Sequence, residues 1–320
     1  MSKLTVGVLR GGPSHEYEVS LNTGRTVLQH MPDTYRPVDI FISKDGEWHI
    51  DGIVRKPMDA LRGVDVAFNA LHGEYGEDGQ VQRLLEDIGI PFTGSDAIGA
   101  ALSMHKAQAK EMFKKAGIKV PSHRIVQREE PRNNLVREVF ETMFLPLMIK
   151  PVAAGSSVGM TILFNYHDIP KALDDAFEFS DSVLIEHFIR GREATCSIVE
   201  DFRNSRHYAL LPIEIVCHPH KKFLDYEAKY DTGADSFCPG NFSYEEKQRI
   251  EQAAILAHDV LGLRHYSRSD FILTPKGEVY ILETNSLPGL TDHSFLPKSL
   301  TAVGSNMPEF LDHVIHLAVR

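Results

Sequence analysis

Short unbroken apolar runs alternate with amphipathic stretches along this chain, and their order predicts an α/β protein. Residues 4–9 (LTVGVL), 38–43 (VDIFIS) and 64–71 (VDVAFNAL) are apolar runs of strand length, the pattern of strands covered on both faces. The first leads into Gly11-Gly12-Pro13-Ser14 and a helix beginning between Glu16 and Ser20. Strand, glycine turn and helix open a doubly wound domain with an open parallel sheet, whose ligands gather at the carboxyl ends of the strands. Behind Asp78, a helix cap, Val81, Leu84, Leu85 and Ile88 recur at helical spacing. Residues 90–95 (IPFTGS) predict a further strand and turn. A lysine-rich helix then ends at Gly117 ahead of Pro121, which sets a domain boundary between about 100 and 122.

In the second half, strands at 147–151 (LMIKP) and 160–164 (MTILF) flank a small-residue loop, and 183–185 (VLI) is another strand. Residues 218–242 are polar and irregular and contain Asp225, Tyr226, Glu227, Lys229 and Tyr230, which marks a functional loop. Ser243 and Glu246 have capping-box spacing, and Ile250, Ala253, Ala254, Ala257 and Leu261 form one helical face that ends at Gly262. That helix packs beneath the stretch around which the chain is organised, residues 268–297 (RSDFILTPKGEVYILETNSLPGLTDHSFLP).

This stretch predicts a β-hairpin, with Phe271, Ile272 and Leu273 in one arm, residues 279–282 in the other and Pro275-Lys276-Gly277 between them. Side chains alternate across a strand, so Arg268 and Asp270 share a face, as do Glu283 and Asn285. With Lys276-Gly277 as a two-residue turn, Asp270 lies opposite Glu283, and two carboxylates and the Asn285 amide oxygen converge. Such an oxygen-only set suits Mg²⁺. A three-residue loop would set Asp270 across from Leu282, so the metal assignment depends on the register. The Pro288-Gly289 turn that follows brings the Gly289 N–H and the Ser294 hydroxyl toward whatever the metal holds.

Other polar groups extend the picture. His72, Glu77 and Glu16 sit beside predicted helix ends and face one pocket. Lys150 ends a strand next to the loop at 152–159, whose amides can cover phosphates, although no GxxxxGK[ST] occurs. An acid-flanked linker follows, with Glu186, His187, Phe188 and Ile189 on one side and Glu193 on the other; its backbone suits a purine edge and its acid a ribose. Of the lysines around 106–119, Lys106 is assigned to phosphate and the rest to a solvated face.

Composition removes several classes. Hydrophobic residues make up 42% and charged residues 24%, a globular balance, while a net charge of -10 and a pI near 5.9 argue against nucleic-acid binding. Three cysteines, Cys196, Cys217 and Cys238, lack CxxC spacing, and the sixteen histidines are scattered, with His218 and His220 lacking a further ligand, so they are assigned to the surface. No apolar run reaches membrane-spanning length and the N-terminus has no signal-peptide core, so a cytoplasmic protein is expected.

Phosphate-binding lysines, an adenosine strand and a metal-binding hairpin together resemble the ATP-grasp fold. GGPSHEYEVSLNTG, HGEYGEDG, IKPVAAGSSVGM, DYEAKY, RSDF and LETNSLPGLTDHSFLP, in that order, resemble the D-alanine–D-alanine ligases over nearly the whole chain. The resemblance implies an α/β chain with α+β elements in three domains. These are a doubly wound, Rossmann-like pre-ATP-grasp substrate domain at 1–104, a central ATP-grasp lid at 105–190 and a C-terminal ATP-grasp catalytic domain at 191–320. It implies that ATP phosphorylates the carboxylate of a first D-alanine and that the amine of a second attacks the acyl phosphate, in peptidoglycan precursor synthesis. By similarity, Glu16 holds the first ammonium, with His72 and Val19 beside it, and Ser156 and Tyr230 link to Glu16 to close the site. Lys106, Lys150, Ser157 and Lys229 bind ATP phosphates, residues 186–189 the adenine and Glu193 the ribose. Asp270, Glu283 and Asn285 hold two Mg²⁺ or Mn²⁺ ions, Arg268 and the Gly289 N–H stabilise the oxyanion, and Ser294 and Phe295 receive the second carboxylate. Phe295 stands where leucine is common, and Lys298, near the same subsite, where an apolar residue is usual. A homodimer is also implied. The competing readings are a D-alanine–D-lactate or other D-alanine–X ligase and a catalytically silent ATP-binding relative; Lys229-Tyr230 favours the dipeptide enzyme.

Overall fold

The computed structural model describes residues 3–152, 159–217 and 234–320. Three sheets organise them. In the first, strand Leu4–Gly11 lies between Tyr35–Ile42 and Val66–Asn69 and runs parallel to both. Its apolar run is buried nearly throughout, as a strand covered on both faces requires. Gly11 closes the turn at φ +93°, and a Cβ there would stand 2.1 Å from the Ile42 carbonyl oxygen. The Gly11 N–H instead donates to Ser20 Oγ on helix Tyr17–His30.

This sheet is not wholly parallel. Trp48–Ile50 and Ile53–Arg55 add an antiparallel edge, because the Ser43–Glu47 connection is a tight turn with no room for a crossover helix. Residues 90–95 likewise do not form a strand: Phe92 makes an isolated bridge to Ala67.

A four-stranded antiparallel sheet of His123–Gln127, Ser182–His187, Leu147–Pro151 and Thr161–Leu163 is packed by helices Arg132–Thr142 and Ile169–Phe177 around Val126, Ile149, Leu173 and Ile185. The third sheet has Arg192–Phe202 and Tyr266–Leu273 at its centre, with Val279–Asn285 on one side and Ile213–Cys217 and Ala234–Phe237 on the other. Helix Tyr244–Val260 begins with the full Ser243/Glu246 capping box and buries Ile250, Ala254 and Ala257 beneath the hairpin, against Phe271 and Ile281. Phe113 and Ile118 join the same cluster, so the segment after the first domain packs on the third sheet. On the opposite face, Leu296, Phe310 and Val314 pack with Val6 and Phe68, which joins the first and third sheets through one core.

The hairpin's loop has three residues. Thr274 N–H donates to the Glu278 carbonyl and Gly277 N–H to the Thr274 carbonyl, and Phe271 pairs with Ile281. That register alone would set Asp270 against Leu282. A bulge between Asp270 and Phe271 restores it, and Asp270 does pair with Glu283. The expected facing of the two carboxylates therefore holds, but by a different route from the expected two-residue turn.

Candidate active site

Two cavities meet at this hairpin. The larger, about 460 Å³, is lined from the first sheet by Glu16, Val19 and His72, and from the third by Arg268, Glu283 and Asn285, with Gly289, Ser294 and Phe295 closing it. The smaller, about 90 Å³, is lined by Lys150, residues 186–189, Glu193, Asp270 and Leu282. Glu283 lines both, so it stands where the two halves of a reaction would meet.

On the first-sheet side, Glu16, His72 and Glu77 place ligand atoms within 4.8 Å of one another. His72 is fixed by Thr23 Oγ1, 2.8 Å from its Nε2, and its Nδ1 lies 3.6 Å from Glu77. Glu77 also accepts from the Gly73 N–H. These groups come from a helix start and a strand end that the doubly wound topology brings together.

On the hairpin, Arg268 donates through Nε and Nη2 to both Asp270 oxygens at 2.9 Å, and Thr195 Oγ1 donates to Asp270 at 2.6 Å. Lys106 Nζ lies 3.3 Å from Glu283. The Asn285 Nδ2 is buried without a hydrogen-bond partner among the described residues. Arg268 also stacks on Phe295, 5.5 Å from the ring centre.

In the smaller cavity, buried Glu186 is gripped by Lys150 and by Lys110, the latter at 3.1 Å. Burial would raise the Glu186 pKa, but the two ammonium groups outweigh it and hold the pKa below the usual carboxylate value. Burial brings Lys110 down to about 8 against the opposing pull of Glu186. The N–H groups of His187 and Phe188 are engaged by the Ser122 and Pro146 carbonyls, which leaves the Ile189 end of the linker for a ligand.

Beyond Asn285, Gly289 packs so closely that a Cβ would meet Ser294 Oγ at 2.8 Å. That hydroxyl accepts from the Thr291 N–H and is 2.9 Å from Thr291 Oγ1. Ser294 opens helix Phe295–Ala302, whose N-terminus faces the large cavity. Lys298 turns away from it and donates to Ser236 Oγ at 2.8 Å, so the cation expected near the second subsite is engaged elsewhere.

Ser156, Ser157, Lys229 and Tyr230 lie outside the described residues. Two contributors were missed from sequence. Lys110, assigned to a solvated face, is buried; its signal was the i,i+4 spacing from Lys106 on helix Lys106–Lys115. Thr195 gave no signal, since it reaches Asp270 only through cross-strand pairing with a strand far along the chain.

Comparison with known proteins follows the same outline. A family described as "D-ala D-ala ligase C-terminus" matches residues 112–316, and "D-ala D-ala ligase N-terminus" matches 5–59 and 53–95. The D-alanine–D-alanine ligase of Geobacter sulfurreducens is 40% identical over 314 residues, 97% of this chain and 92% of that protein. The one from Desulfotalea psychrophila is 36% identical over 320 residues, 99% of this chain and 96% of that protein. The crystal structure of VanG D-Ala:D-Ser ligase from Enterococcus faecalis superposes with a TM-score of 0.87 at 30% identity, covering 99% of this chain and 100% of that one. The D-alanine–D-alanine ligase structure from Coxiella burnetii gives 0.85 at 26%, covering 100% and 94%.

Proposed function

The chain belongs to the D-alanine–D-alanine ligase family and has its ATP-grasp fold, and on that premise we propose how its residues join two D-alanine molecules with ATP. It is an ATP-dependent ligase of cell-wall precursor synthesis. One observation carries the assignment of roles: a single cavity collects an acid and a histidine from the first sheet and an arginine, the Glu283 and Asn285 members of the oxygen set and a glycine–serine turn from the third.

A carboxylate is a poor electrophile until one oxygen becomes a leaving group, so ATP first phosphorylates the carboxylate of one D-alanine. Glu16 holds that substrate's ammonium beside His72 and Val19. Lys106 and Lys150 bind ATP phosphates, with Ser157 and Lys229 assigned from sequence to the same task; the Ile189 end of the linker meets the adenine and Glu193 the ribose. The amine of the second D-alanine then attacks the acyl carbon. Arg268 and the Gly289 N–H hold the oxyanion that develops. The second carboxylate sits at Ser294 and Phe295, against the N-terminus of helix Phe295–Ala302. Closure by Ser156 and Tyr230 keeps water from the acyl phosphate.

The donor set fits Mg²⁺ or Mn²⁺. Asp270 and Glu283 face each other, Asn285 lies two residues on along the same strand as Glu283, and all three offer hard oxygen ligands. When bound, two such ions would draw charge from the phosphoryl oxygens in transfer. To receive them, Asp270 would exchange its bonds to Arg268, and Glu283 its contact with Lys106. Such an exchange would turn both cations toward the phosphate and the oxyanion.

Three units divided near residues 104 and 190, a homodimer and a cytoplasmic location complete the proposal; no helix of the described residues is long and apolar enough to cross a membrane. The test is phosphate release from ATP and Mg²⁺ with D-alanine alone and then with D-lactate or D-serine added, with products identified by mass. D-alanyl-D-alanine throughout is expected. A mixed product as the main one would overturn the acceptor assignment, and ATP binding without phosphate release would overturn the enzyme.

A further inference from the structure

At the end of the third sheet away from both cavities, three metal-ligating side chains converge. Glu200 and His207 are directly opposed across the antiparallel pair of Arg192–Phe202 and Ser205–Ala209. The turn between these strands has positive φ at Arg203 and Asn204, 50° and 62°, the conformation that keeps a tight hairpin twisted correctly. His258 comes from the last turn of helix Tyr244–Val260. Glu200 Oε1 lies 3.5 Å from His258 Nε2 and 3.7 Å from His207 Nε2, and all three ligand atoms are within 4.8 Å of one another. Bonds of about 2.0 Å to a tetrahedral Zn²⁺ separate neighbouring ligand atoms by about 3.3 Å, so small side-chain movements close this cluster into a coordination sphere.

Two further observations point to a ligand. His258 is fully buried, and its Nε2 makes no close hydrogen bond among the described residues but faces the Glu200 carboxylate at 3.5 Å, a long contact that a bound ion between the two would replace. In addition, the remaining nitrogen of each imidazole is held from outside. His258 Nδ1 is 2.7 Å from Ser267 Oγ, and His207 Nδ1 is 3.4 Å from Asp259 Oδ1. A hydroxyl and a carboxylate in those places fix the orientation of a metal-ligating histidine. Glu200 is itself tethered, its Oε2 accepting from the His265 N–H and its carbonyl lying 2.7 Å from His313 Nε2. These histidines, assigned from sequence to the surface, thus form a built cluster.

We propose that Glu200, His207 and His258 form a site for a zinc-type divalent transition metal, distinct from the ligase centre. Two imidazole nitrogens and one carboxylate select such an ion over Mg²⁺, and the fourth position opens to water on the partly exposed Glu200 side. Glu193 and Glu200 are seven residues apart on one strand, about 23 Å at the usual rise, so the site is remote from nucleotide. The metal ties the hairpin to helix Tyr244–Val260 and stabilises the folded chain. None of this depends on the ligase assignment.

The test uses the full chain, stripped with a chelator and then titrated with Zn²⁺ or Co²⁺. One Zn²⁺ per chain, the visible bands of tetrahedral Co²⁺, and a Tm higher by about 5 °C with Zn²⁺ at a hundredfold excess over Kd are expected. His207→Gln weakens binding by at least about 100-fold and Asp259→Asn by about tenfold to a hundredfold, while Glu283→Gln keeps full affinity. Asp259 is exposed at the helix end, and His207→Gln keeps a polar side chain of similar size on the hairpin, so these variants decide the matter even if a His258 variant fails to fold. Absence of a Zn²⁺ effect in the parent protein, or equal binding by the parent and His207→Gln, overturns the site.

Discussion

Strands Arg192–Phe202 and Tyr266–Leu273 reach a polar cluster at each end. At the nucleotide end, Asp270 is held by Arg268 and Thr195, Glu283 by Lys106, and Glu186 by Lys110 and Lys150. At the other end, Glu200 faces two imidazoles, one of them fully buried, at 3.5 and 3.7 Å. The first cluster neutralises itself with the side chains proposed above to serve the reaction, so on that proposal its ligands enter by exchanging one ion pair for another. The second meets Glu200 with imidazoles instead. A site that must open and close in each turnover benefits from such built-in stand-ins, whereas a permanent site does not need them.

The largest break in this comparison is Glu283→Gln. It removes one carboxylate from the metal set and the partner of Lys106, and should lower turnover by about two to three orders of magnitude while ATP still binds; nucleotide titration alongside phosphate release reads both. Near-normal turnover would remove Glu283 from the metal site.

Lys110→Met tests the self-neutralising arrangement through pH. With a folded-state pKa of about 8 against an ordinary 10.5, only the unfolded chain still holds the Lys110 proton between those values. Raising pH through this window therefore stabilises the folded protein, by about 3 kcal/mol in all. Denaturant melts of Lys110→Met should lack that increment; an unchanged pH profile would refute a charged, buried Lys110.

Gly289→Ala places a methyl against Ser294 Oγ. Because that hydroxyl can rotate only by leaving Thr291, the expected result is a loss of about tenfold in kcat/KM for the second D-alanine, with ATP affinity unchanged. A uniform loss for both substrates would place Gly289 elsewhere in the mechanism. The smallest effect sharpens the contrast from the other end. Ser267→Ala removes the support of His258 Nδ1 and should reduce Zn²⁺ affinity about tenfold without altering ligase turnover.

Local chemistry was legible in the sequence: the capping box, the glycine turn at Gly11, the amphipathic helices and the facing of Asp270 and Glu283. What escaped depended on chain segments meeting at a distance. Lys110 looked like its exposed neighbours Lys114 and Lys115 until Glu186 was brought over it. Thr195 became a partner of Asp270 only through strand register. His207 and His258 were isolated in sequence and adjacent only once a hairpin and a helix packed together. The antiparallel edge of the first sheet follows from the short Ser43–Glu47 turn, whose Asp45-Gly46 pair is a hairpin signal the sequence already carried.

The bulge in the hairpin has a consequence for how this enzyme can change over generations. Phe271 already pairs with Ile281, and the next rung joins Asp270 to Glu283, with Leu282 as the extra residue and a wall of the smaller cavity. Loss of the single Leu282 codon would leave those rungs adjacent in an unbroken ladder and keep both acids opposed. On the proposed roles, one deletion would therefore resize the pocket assigned to the base while the two acids assigned to the metal stay opposed.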